Sequence, residues 1–474
     1  HTAYRRQRQM CIRDRYYVPN AYQGLVGRLT YEYASRYLAE FNMGYNGTEN
    51  FAKGKRFGFF PAVSLGWVIS EEKFFPKNNI VKYLKVRGSY GEVGNDQIGG
   101  DRFLYLPSSY GAASDSGVNK YNFGLASNPY TSLMIVENKI GNPDLTWEKA
   151  KKMNVGVDIN LFNNCLTASF DIFKEKRNNI LANRSTSPMI IGANLPAYNF
   201  GEMENRGWEM DLNFRHHIQD FHYWARFNYS FARNEIIYMD EVQKRYDYQM
   251  TTGRRKNQFF GLIFDGYYNS WEEINALDRP KSSWSGNQLQ PGDVKYVDVN
   301  QDGVIDDYDM VPIGYTPVPE IIYGFSFGAQ YKGFDFSILF QGADNVSIKY
   351  FGRSMWPFAK GEESAKSLIK ERWTQERYEA GEKITFPRLS LNPNGETDHN
   401  YRPSTLWIRD ASYLRLKNLE VGYTFTGGFV KRLNLNSVRL YFNGSNLFTW
   451  TDVVDLDPDC LLYTSPSPRD RQKS

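Results

Sequence analysis

Apolar and polar residues alternate with a period of two in one segment after another of this chain. Between 155 and 161, Val, Val, Ile and Leu take every second place and Gly, Asp and Asn fill the places between, and 166–172 repeats the pattern. Because successive side chains of a strand point to opposite faces, each segment predicts a strand with one apolar and one polar face. About twelve such segments can be counted. They lie near 24–33, 36–45, 59–69, 81–91, 155–161, 166–172, 208–214, 223–231, 323–331, 334–340, 405–425 and 438–442.

The segment 405–425 carries a change of phase. Its apolar set moves from Leu414 and Leu416 to Leu419 and Val421, so one residue is left over between the two sets. A β-bulge accommodates one extra residue in this way. The sequence therefore predicts a bulge near Lys417.

Short and long connections take turns between the segments. The short ones are Ala34-Ser35, Asn163-Asn164, His216 to Asp220 and Lys332-Gly333, and the long ones cover about 46–58, 94–144, 177–205, 236–317 and 346–404. A spanning sheet must close on itself, because hydrocarbon cannot satisfy the backbone polar groups of an open edge. We therefore predict an all-β, transmembrane antiparallel up-and-down β-barrel with short periplasmic turns and long extracellular loops, located in the outer membrane.

Composition supports this interpretation. Aromatic residues make up 16% of the chain, yet its mean hydropathy is −0.58. No apolar run approaches the roughly 18 residues of a spanning helix, which excludes helical membrane spans. A secreted β-sandwich protein shares this aromatic and polar profile, but it gives no reason for the regular alternation of loop lengths.

The two ends differ from the rest of the chain. Residues 1–15 and 460–474 lack the alternation, and we predict that both are non-native tails. The first tail contributes +4 and the second +2 to the formal charge of +4, so removing both leaves −2. Because the excess of positive charge comes from the tails alone, the charge of the chain gives no reason to expect a nucleic-acid partner. Two of the three cysteines also lie in the tails, which leaves Cys165 and no disulfide framework.

One segment carries a metal-binding motif. Residues 298–309 read DVNQDGVIDDYD, which matches the oxygen-rich loop of an EF-hand or dockerin-type calcium site. The expected ligands, including the backbone carbonyl of Val304, are Asp298, Asn300, Asp302, Val304, Asp306 and Asp309. The sequence predicts a structural calcium ion that stiffens the long loop around it. A solvated acidic loop is the simpler alternative.

Catalytic motifs are missing from the sequence, and we predict that the chain is not an enzyme. The five histidines form no HExxH pattern, and the glycine-rich run 91–100 lacks the lysine of a phosphate-binding loop. Loop aromatics that could stack on sugars, or simply pack the loops, are Tyr267, Tyr268, Trp271, Trp284 and Trp356. Candidate anchors at the membrane interface, for which core packing is the alternative, are Trp147, Trp208, Trp407 and Tyr423.

Several longer motifs resemble one family. LKVRGSYGEVGND (84–96), NPDLTWEKAKKMNVGVDINLF (142–162), NFGEMENRGWEMDLNF (199–214), PGDVKYVDVNQDGVIDDYD (291–309), LRLKNLEVGYTF (414–425) and VRLYFNGSNLFTW (438–450) resemble the SusC/RagA-type TonB-linked outer-membrane transporters. The resemblance implies a twenty-two-stranded barrel around an amino-terminal plug, powered by the TonB complex and capped by a SusD-like lipoprotein. TonB box and plug are not found in this sequence, so 16–459 is expected to be a partial barrel domain, a fragment of the larger barrel.

The resemblance implies import of an oligosaccharide or a peptide. In the parent protein, the TonB complex would act through the missing plug region, and the SusD-like lipoprotein would help to capture the substrate. Two alternatives stay open at this point. One is a soluble secreted β-rich carbohydrate-binding or hydrolytic protein with a dockerin-like calcium loop, and the other is a receptor for iron chelates or cobalamin.

Overall fold

The computed structural model describes most of the chain between residues 21 and 458. The described residues are 21–97, 103–106, 109–112, 120–125, 130–186, 195–284, 289–350, 355–358, 367–390, 398–432, 434–454 and 456–458. Both predicted tails, 1–15 and 460–474, lie outside the described residues.

Strands make up most of the described secondary structure. In chain order they are β1 (Tyr22–Tyr33), β2 (Tyr37–Thr48), β3 (Phe57–Val68), β4 (Val81–Asn95), β5 (Ser109–Ala112), β6 (Lys120–Phe123), β7 (Tyr130–Leu133), β8 (Ile135–Lys139), β9 (Glu148–Leu161), β10 (Leu166–Ala182), β11 (Tyr198–Ile218), β12 (Phe221–Tyr238), β13 (Phe260–Gly261), β14 (Phe264–Tyr267), β15 (Lys281–Ser282), β16 (Val294–Tyr296), β17 (Val304–Ile305), β18 (Val311–Pro312), β19 (Ile321–Tyr331), β20 (Phe334–Asp344), β21 (Ser347–Lys349), β22 (Ile408–Asp410), β23 (Tyr413–Phe425) and β24 (Val438–Thr451). The described residues also form three α-helices of five residues each: α1 (Trp271–Asn275), α2 (Gln375–Glu379) and α3 (Gly428–Arg432). Single 3₁₀ turns are Ile69–Glu71, Asp247–Gln249, Asp307–Asp309, Ser367–Glu371 and His399–Tyr401.

Twelve of the described strands form one antiparallel sheet in the order β1-β2-β3-β4-β9-β10-β11-β12-β19-β20-β23-β24. Apart from the short loop strands, each strand pairs with the next along the chain, which is the up-and-down order predicted from the sequence. All of the predicted segments contribute a strand to this sheet. The prediction was wrong for 405–412, because β22 lies there as a separate short strand paired with β21.

Exposure along the sheet is the reverse of that in a soluble protein. On β9 and β10 the apolar Val155 and Ile172 are 49% and 56% exposed. By contrast, the Asp171 side chain on the opposite face is only 16% exposed. A water-soluble sheet buries its apolar face, whereas a membrane barrel presents that face to lipid and keeps the polar face inside. We call the apolar face the outer face and the polar face the inner wall.

Four strands continue well past their apolar segments. β9, β10, β11 and β12 span 14, 17, 21 and 18 residues. Alternation of apolar residues predicted only the part that faces lipid. Beyond it the outer face carries charged residues such as Lys174 and Glu204, so the ladder continues without an apolar signal.

The short turns require left-handed backbone. Asn163 and Asn164 have φ of 56° and 67°, and Lys332 and Gly333 have φ of 44° and 92°. Phe162, just before the first pair, also has a positive φ of 51°, so that connection spans 162–165. Consecutive residues with positive φ match the twist of a β-hairpin, and Asn and Gly tolerate this conformation best. The tight turns predicted between these strands are confirmed.

The predicted bulge is also confirmed. The pairing of β23 with β20 and with β24 shifts between Leu416 and Asn418, so Lys417 is the extra residue. Leu416 and Leu419 consequently face the same side of the sheet, which explains the phase change in the sequence.

The largest apolar core lies in the loops and not in the sheet. We call the described residues of segments 239–320 and 345–412 the loop plate. They pack around Trp407, Tyr350 and Phe386, each at most 2% exposed. Short pairs hold the segments: β13 with β18, β14 with β16, β15 with β17 and β21 with β22. Val453, just after β24, joins the same core. The described parts of these two long loops therefore form a packed layer at the end of the sheet opposite the short turns.

Among the described residues no helix has the length and apolar character needed to cross a bilayer.

Candidate functional site

The centre of the inner wall is an arginine shared by three strands. Arg87 on β4 donates from Nη2 to Asp171 on β10 at 2.6 Å and from Nε to Asp158 on β9 at 3.1 Å. Ser169 donates to Asp158 at 2.9 Å. Hydrogen bonds that involve ionised groups are stronger than neutral ones, so this cluster ties β4, β9 and β10 together from inside.

A glycine makes that arrangement possible. Arg87 reaches Asp171 by crossing β9 over Gly156, its partner in the ladder. A Cβ at Gly156 would lie 2.6 Å from Asp171 Oδ1 and 2.8 Å from Arg87 Cζ. A larger residue at Gly156 would therefore force the end of the Asp171 or Arg87 side chain to shift, so glycine suits the close approach of these two side chains.

A second polar cluster lies at the other side of the sheet. Arg439 on β24 donates from Nε to Asp335 on β20 at 3.1 Å and also bonds Glu420 on β23. Asn443 donates to the same Glu420 at 3.1 Å. Each cluster joins inward positions of three adjacent strands, so the polar half of the pattern places charged groups on the inner wall at two separate parts of the sheet.

Several cavities open on this wall, among them two with a charged lining. One of about 480 Å³ lies against Glu40, Lys85 and Arg87 near the short turns. Another of about 300 Å³ lies near the loop plate, between Arg177 and Arg255. Both are lined by side chains of both charge signs, which suits contacts with polar cargo and not with apolar ligands.

Glu320 is one of the residues that line the second cavity. Its carboxylate is 4% exposed and accepts hydrogen bonds from Arg233 at 2.8 Å and from Arg255. Burial opposes ionisation of Glu320, but the hydrogen bonds from the two arginines outweigh it and hold its pKa below the ordinary value. An ionised carboxylate between two cations fixes the start of β19 against the loop plate.

The acidic loop adopts a turn at almost every motif position. Asp298 accepts N–H bonds from Gln301 at 2.7 Å and from Gly303 at 2.8 Å. Equivalent bonds run from Asp302 N–H to Asn300, from Val304 N–H to Asp302 and from Tyr308 N–H to Asp306. Gly303 has a φ of 83° and supplies the sharp turn that the motif predicts.

Asp309 has a different role from the other motif residues. It is fully buried, and its carboxylate accepts N–H bonds from Val299 at 2.8 Å and from Asp306 at 2.9 Å. Burial raises the pKa of Asp309 above its ordinary value, although the backbone bonds oppose the rise. Across the part of the chain that the structure describes, no three His, Cys, Asp or Glu side chains are grouped to hold a metal ion. The structure thus brings the motif residues together as a turn-rich loop closed by Asp309.

Most of the loop aromatics pack the loop plate. Tyr267, Tyr268 and Trp356 are buried, and Arg402 covers the ring of Trp284 at 4.0 Å. Trp271 alone of the predicted set is largely exposed. Core packing, the simpler alternative, therefore explains these aromatics better than sugar stacking.

Two of the four predicted interface anchors are wrong. Trp147 and Trp407 are 3% and 2% exposed and belong to apolar clusters at the loop end. Trp208 lies on the outer face and stacks on Tyr229 at 4.7 Å, and Tyr423 packs against Phe334 beside a short turn. A tryptophan beside a strand end gives the same signal in both settings, so the sequence did not separate them.

Residues 11–447 match the family model of the TonB dependent receptor-like β-barrel. The chain belongs to the TonB-dependent receptor family. This membership confirms the outer-membrane location, and the family consists of transporters and not of enzymes. Together with the relatives described next, it confirms the SusC/RagA-type resemblance.

Curated relatives agree with this assignment. TonB-dependent receptor P3 of Formosa agariphila is 28% identical over 443 residues, which cover 91% of this chain and 41% of the relative. TonB-dependent receptor SusC of Bacteroides thetaiotaomicron is 28% identical over 462 residues, which cover 96% of this chain and 43% of SusC. This receptor chain thus spans about two fifths of the length of the curated relatives it matches.

A solved structure shows the same fold. The RagAB peptide transporter superposes with a TM-score of 0.70 at 22% identity, covering 93% of this receptor chain and 45% of that chain. The antiparallel sheet described above is therefore barrel wall of this family. The soluble alternative is wrong, because such a protein would bury the apolar face that this sheet exposes.

The residues of the inner-wall clusters were not singled out from the sequence. Arg87, Asp158 and Asp171 each stand at a polar position of an alternating segment, and that signal placed them on the inner wall. Which of them pair depends on the strand order and register. Only the register shows that Gly156 lies between Arg87 and Asp171.

Proposed function

We propose that this receptor chain forms the barrel wall and outer loops of a transporter that imports an oligosaccharide or a peptide. The inner wall carries the proposal. Its paired charges and its polar cavities offer hydrogen bonds to a hydrated cargo, and the apolar outer face confines that cargo to the lumen. No covalent chemistry is needed for this role.

The proposed energy source is the TonB complex, and the proposed partner is a SusD-like surface lipoprotein. Family membership supports the first. Similarity to SusC and to the RagAB peptide transporter supports the lipoprotein partner. The loop plate adds to this support, because its packed core provides a surface for a partner at the end of the barrel opposite the short turns.

Growth of the source bacterium tests the transport proposal. The gene that encodes this chain is deleted, and growth is measured on defined oligosaccharides and on peptides as sole nutrients. We expect loss of growth on one nutrient class and normal growth on glucose or free amino acids. Unchanged growth and uptake on every polymeric nutrient would contradict the proposal.

Affinity purification of the tagged receptor from outer membranes tests the partner. We expect a lipoprotein to be recovered in roughly equal amount, and to be lost when the loop-plate core is disrupted by Trp407→Ala. Recovery of the receptor alone from gently solubilised membranes would count against a lipoprotein partner.

We further propose that the acidic loop binds calcium as a structural ion. Support comes from the motif spacing, from the turns at Asp298 and Asn300, and from Gly303 in the left-handed region. A calcium ion would offset the electrostatic cost of burying Asp309 and would order the 236–317 loop.

Calorimetric titration with calcium chloride tests this site. Asp302→Ala removes a motif carboxylate, and Asp307→Ala, which lies outside the motif positions, removes the same charge from the same loop. We expect binding heat from the wild type and from Asp307→Ala, and little from Asp302→Ala. Equal heats from all three proteins would rule the site out.

A further inference from the structure

The outer face changes character at one level on three neighbouring strands. Ile172 on β10, Trp208 on β11 and Phe231 on β12 are direct partners in the ladder and form the last apolar row. Two residues further toward the loops, the partners are Lys174, Arg206 and Arg233. We call these three cations the boundary row.

Their neighbours do not neutralise the three cations equally. Lys174 bonds Glu204 at 2.9 Å, and Arg233 bonds Glu320 at 2.8 Å. Arg206, between them, reaches Glu235 only at 3.9 Å, and its side chain is 62% exposed. Like charges directly opposite each other destabilise a sheet, and exposed ion pairs contribute little. An additional anion beside Arg206 would therefore be stabilising.

The boundary row lies at the height of the outer lipid headgroups. On β12 the outward apolar residues run from Phe221 to Phe231, and ten steps of about 3.4 Å at a tilt of about 40° rise about 26 Å. An apolar band of outer-membrane barrels is about 25 Å tall. Trp208, stacked on Tyr229, stands at the upper edge of this band, where aromatic residues meet headgroups.

We propose that the boundary row binds the phosphate group of an anionic lipid in the outer leaflet. The guanidinium of Arg206 offers paired N–H donors that match phosphate oxygens, and Lys174 adds a mobile charge on one side. The acyl chains would lie against Ile172 and Trp208 directly below. A lipid held in this way is an interaction of the barrel wall that is independent of the cargo in the lumen.

Native mass spectrometry of the full chain in mixed micelles tests the proposal. The probes are phosphatidylglycerol and phosphatidylcholine, which both carry phosphate but differ in net charge. The variant Lys174→Gln/Arg206→Gln removes two cations from the outer face. The matched control Lys152→Gln/Arg177→Gln removes two cations of the inner wall, from β9 and β10 at a similar height.

We expect the wild type and the inner-wall control to retain phosphatidylglycerol in preference to phosphatidylcholine. In the outer-face variant, the ratio of phosphatidylglycerol to phosphatidylcholine retained should fall about fivefold for each cation removed. An unchanged preference in the outer-face variant, or an equal loss in the control, would overturn the proposal. Displacement of phosphatidylglycerol by millimolar inorganic phosphate would also overturn it, because the site would then recognise free phosphate and not a lipid. The single variant Arg206→Gln, an exposed position, provides the same comparison if the double variant does not fold.

Discussion

Gly156→Ala is the sharpest test of the inner wall. The new methyl group would lie 2.6 Å from Asp171 Oδ1 and 2.8 Å from Arg87 Cζ, so the two side chains must move apart. Hydrogen bonds to charged groups contribute about 1.5–3 kcal/mol each. Because the Arg87 side chain is 33% exposed, solvent screening reduces the loss, and we expect about 1–2 kcal/mol.

Gly88→Ala is the matched control for this prediction. Gly88 lies on the neighbouring strand β4 and faces outward, and an added Cβ there meets nothing closer than 4.0 Å. Alanine in place of glycine restricts the unfolded chain, so this control should be unchanged or slightly more stable, by about 0.5 kcal/mol.

Urea unfolding in phospholipid micelles, followed by tryptophan fluorescence, measures both variants. Gly156→Ala should unfold at a lower urea concentration than Gly88→Ala with the same slope. In an Arg87→Ala background no guanidinium remains to be displaced, and the cost of Gly156→Ala should largely vanish. Equal midpoints for the two glycine variants, or an undiminished cost without Arg87, would refute the account.

Three further predictions concern the loop plate. Trp407→Ala removes a side chain that donates to Asn400 O at 2.8 Å and should destabilise the plate by about 3–5 kcal/mol, seen as faster protease cleavage of the loops while the sheet stays resistant. His399 is buried and its pKa is lowered by that burial, so the unfolded plate binds more protons below about pH 6.5. Stability is therefore fully present above that pH and falls as the pH drops, and cleavage should rise on acidification in the wild type but much less in His399→Gln. Glu320→Gln leaves Arg233 and Arg255 without their shared charge and should cost about 3 kcal/mol, measured as a lower urea midpoint than for the exposed Glu379→Gln.

The sheet was predictable because lipid imposes its pattern on every strand. Hydrocarbon on one side and water on the other force alternation with a period of two, and the segment at 166–172 shows it without interruption. The bulge at Lys417 could be predicted for the same reason, since a single extra residue reverses the order of apolar and polar positions along the strand.

Features outside the lipid were not predictable in this way. Above the membrane both faces of β10 and β11 are wet, so Lys174 and Glu204 carry no alternation that marks them as strand. The loop plate is built from contacts between residues far apart in the sequence, such as Tyr350 with Val454, and no local pattern records them. Trp407 illustrates the ambiguity, because an aromatic residue near a strand end suits a bilayer surface as well as a dry core.

The separation of the apolar core from the sheet means that two different solvents stabilise this molecule. The wall depends on the surrounding amphiphile, whereas the plate depends on the expulsion of water from the side chains around Trp407. Exchanging one detergent for another should displace one melting transition and leave the other in place. Each free-energy change predicted above then refers to the transition of the wall or of the plate alone, and thermal curves need to be read as the sum of two transitions.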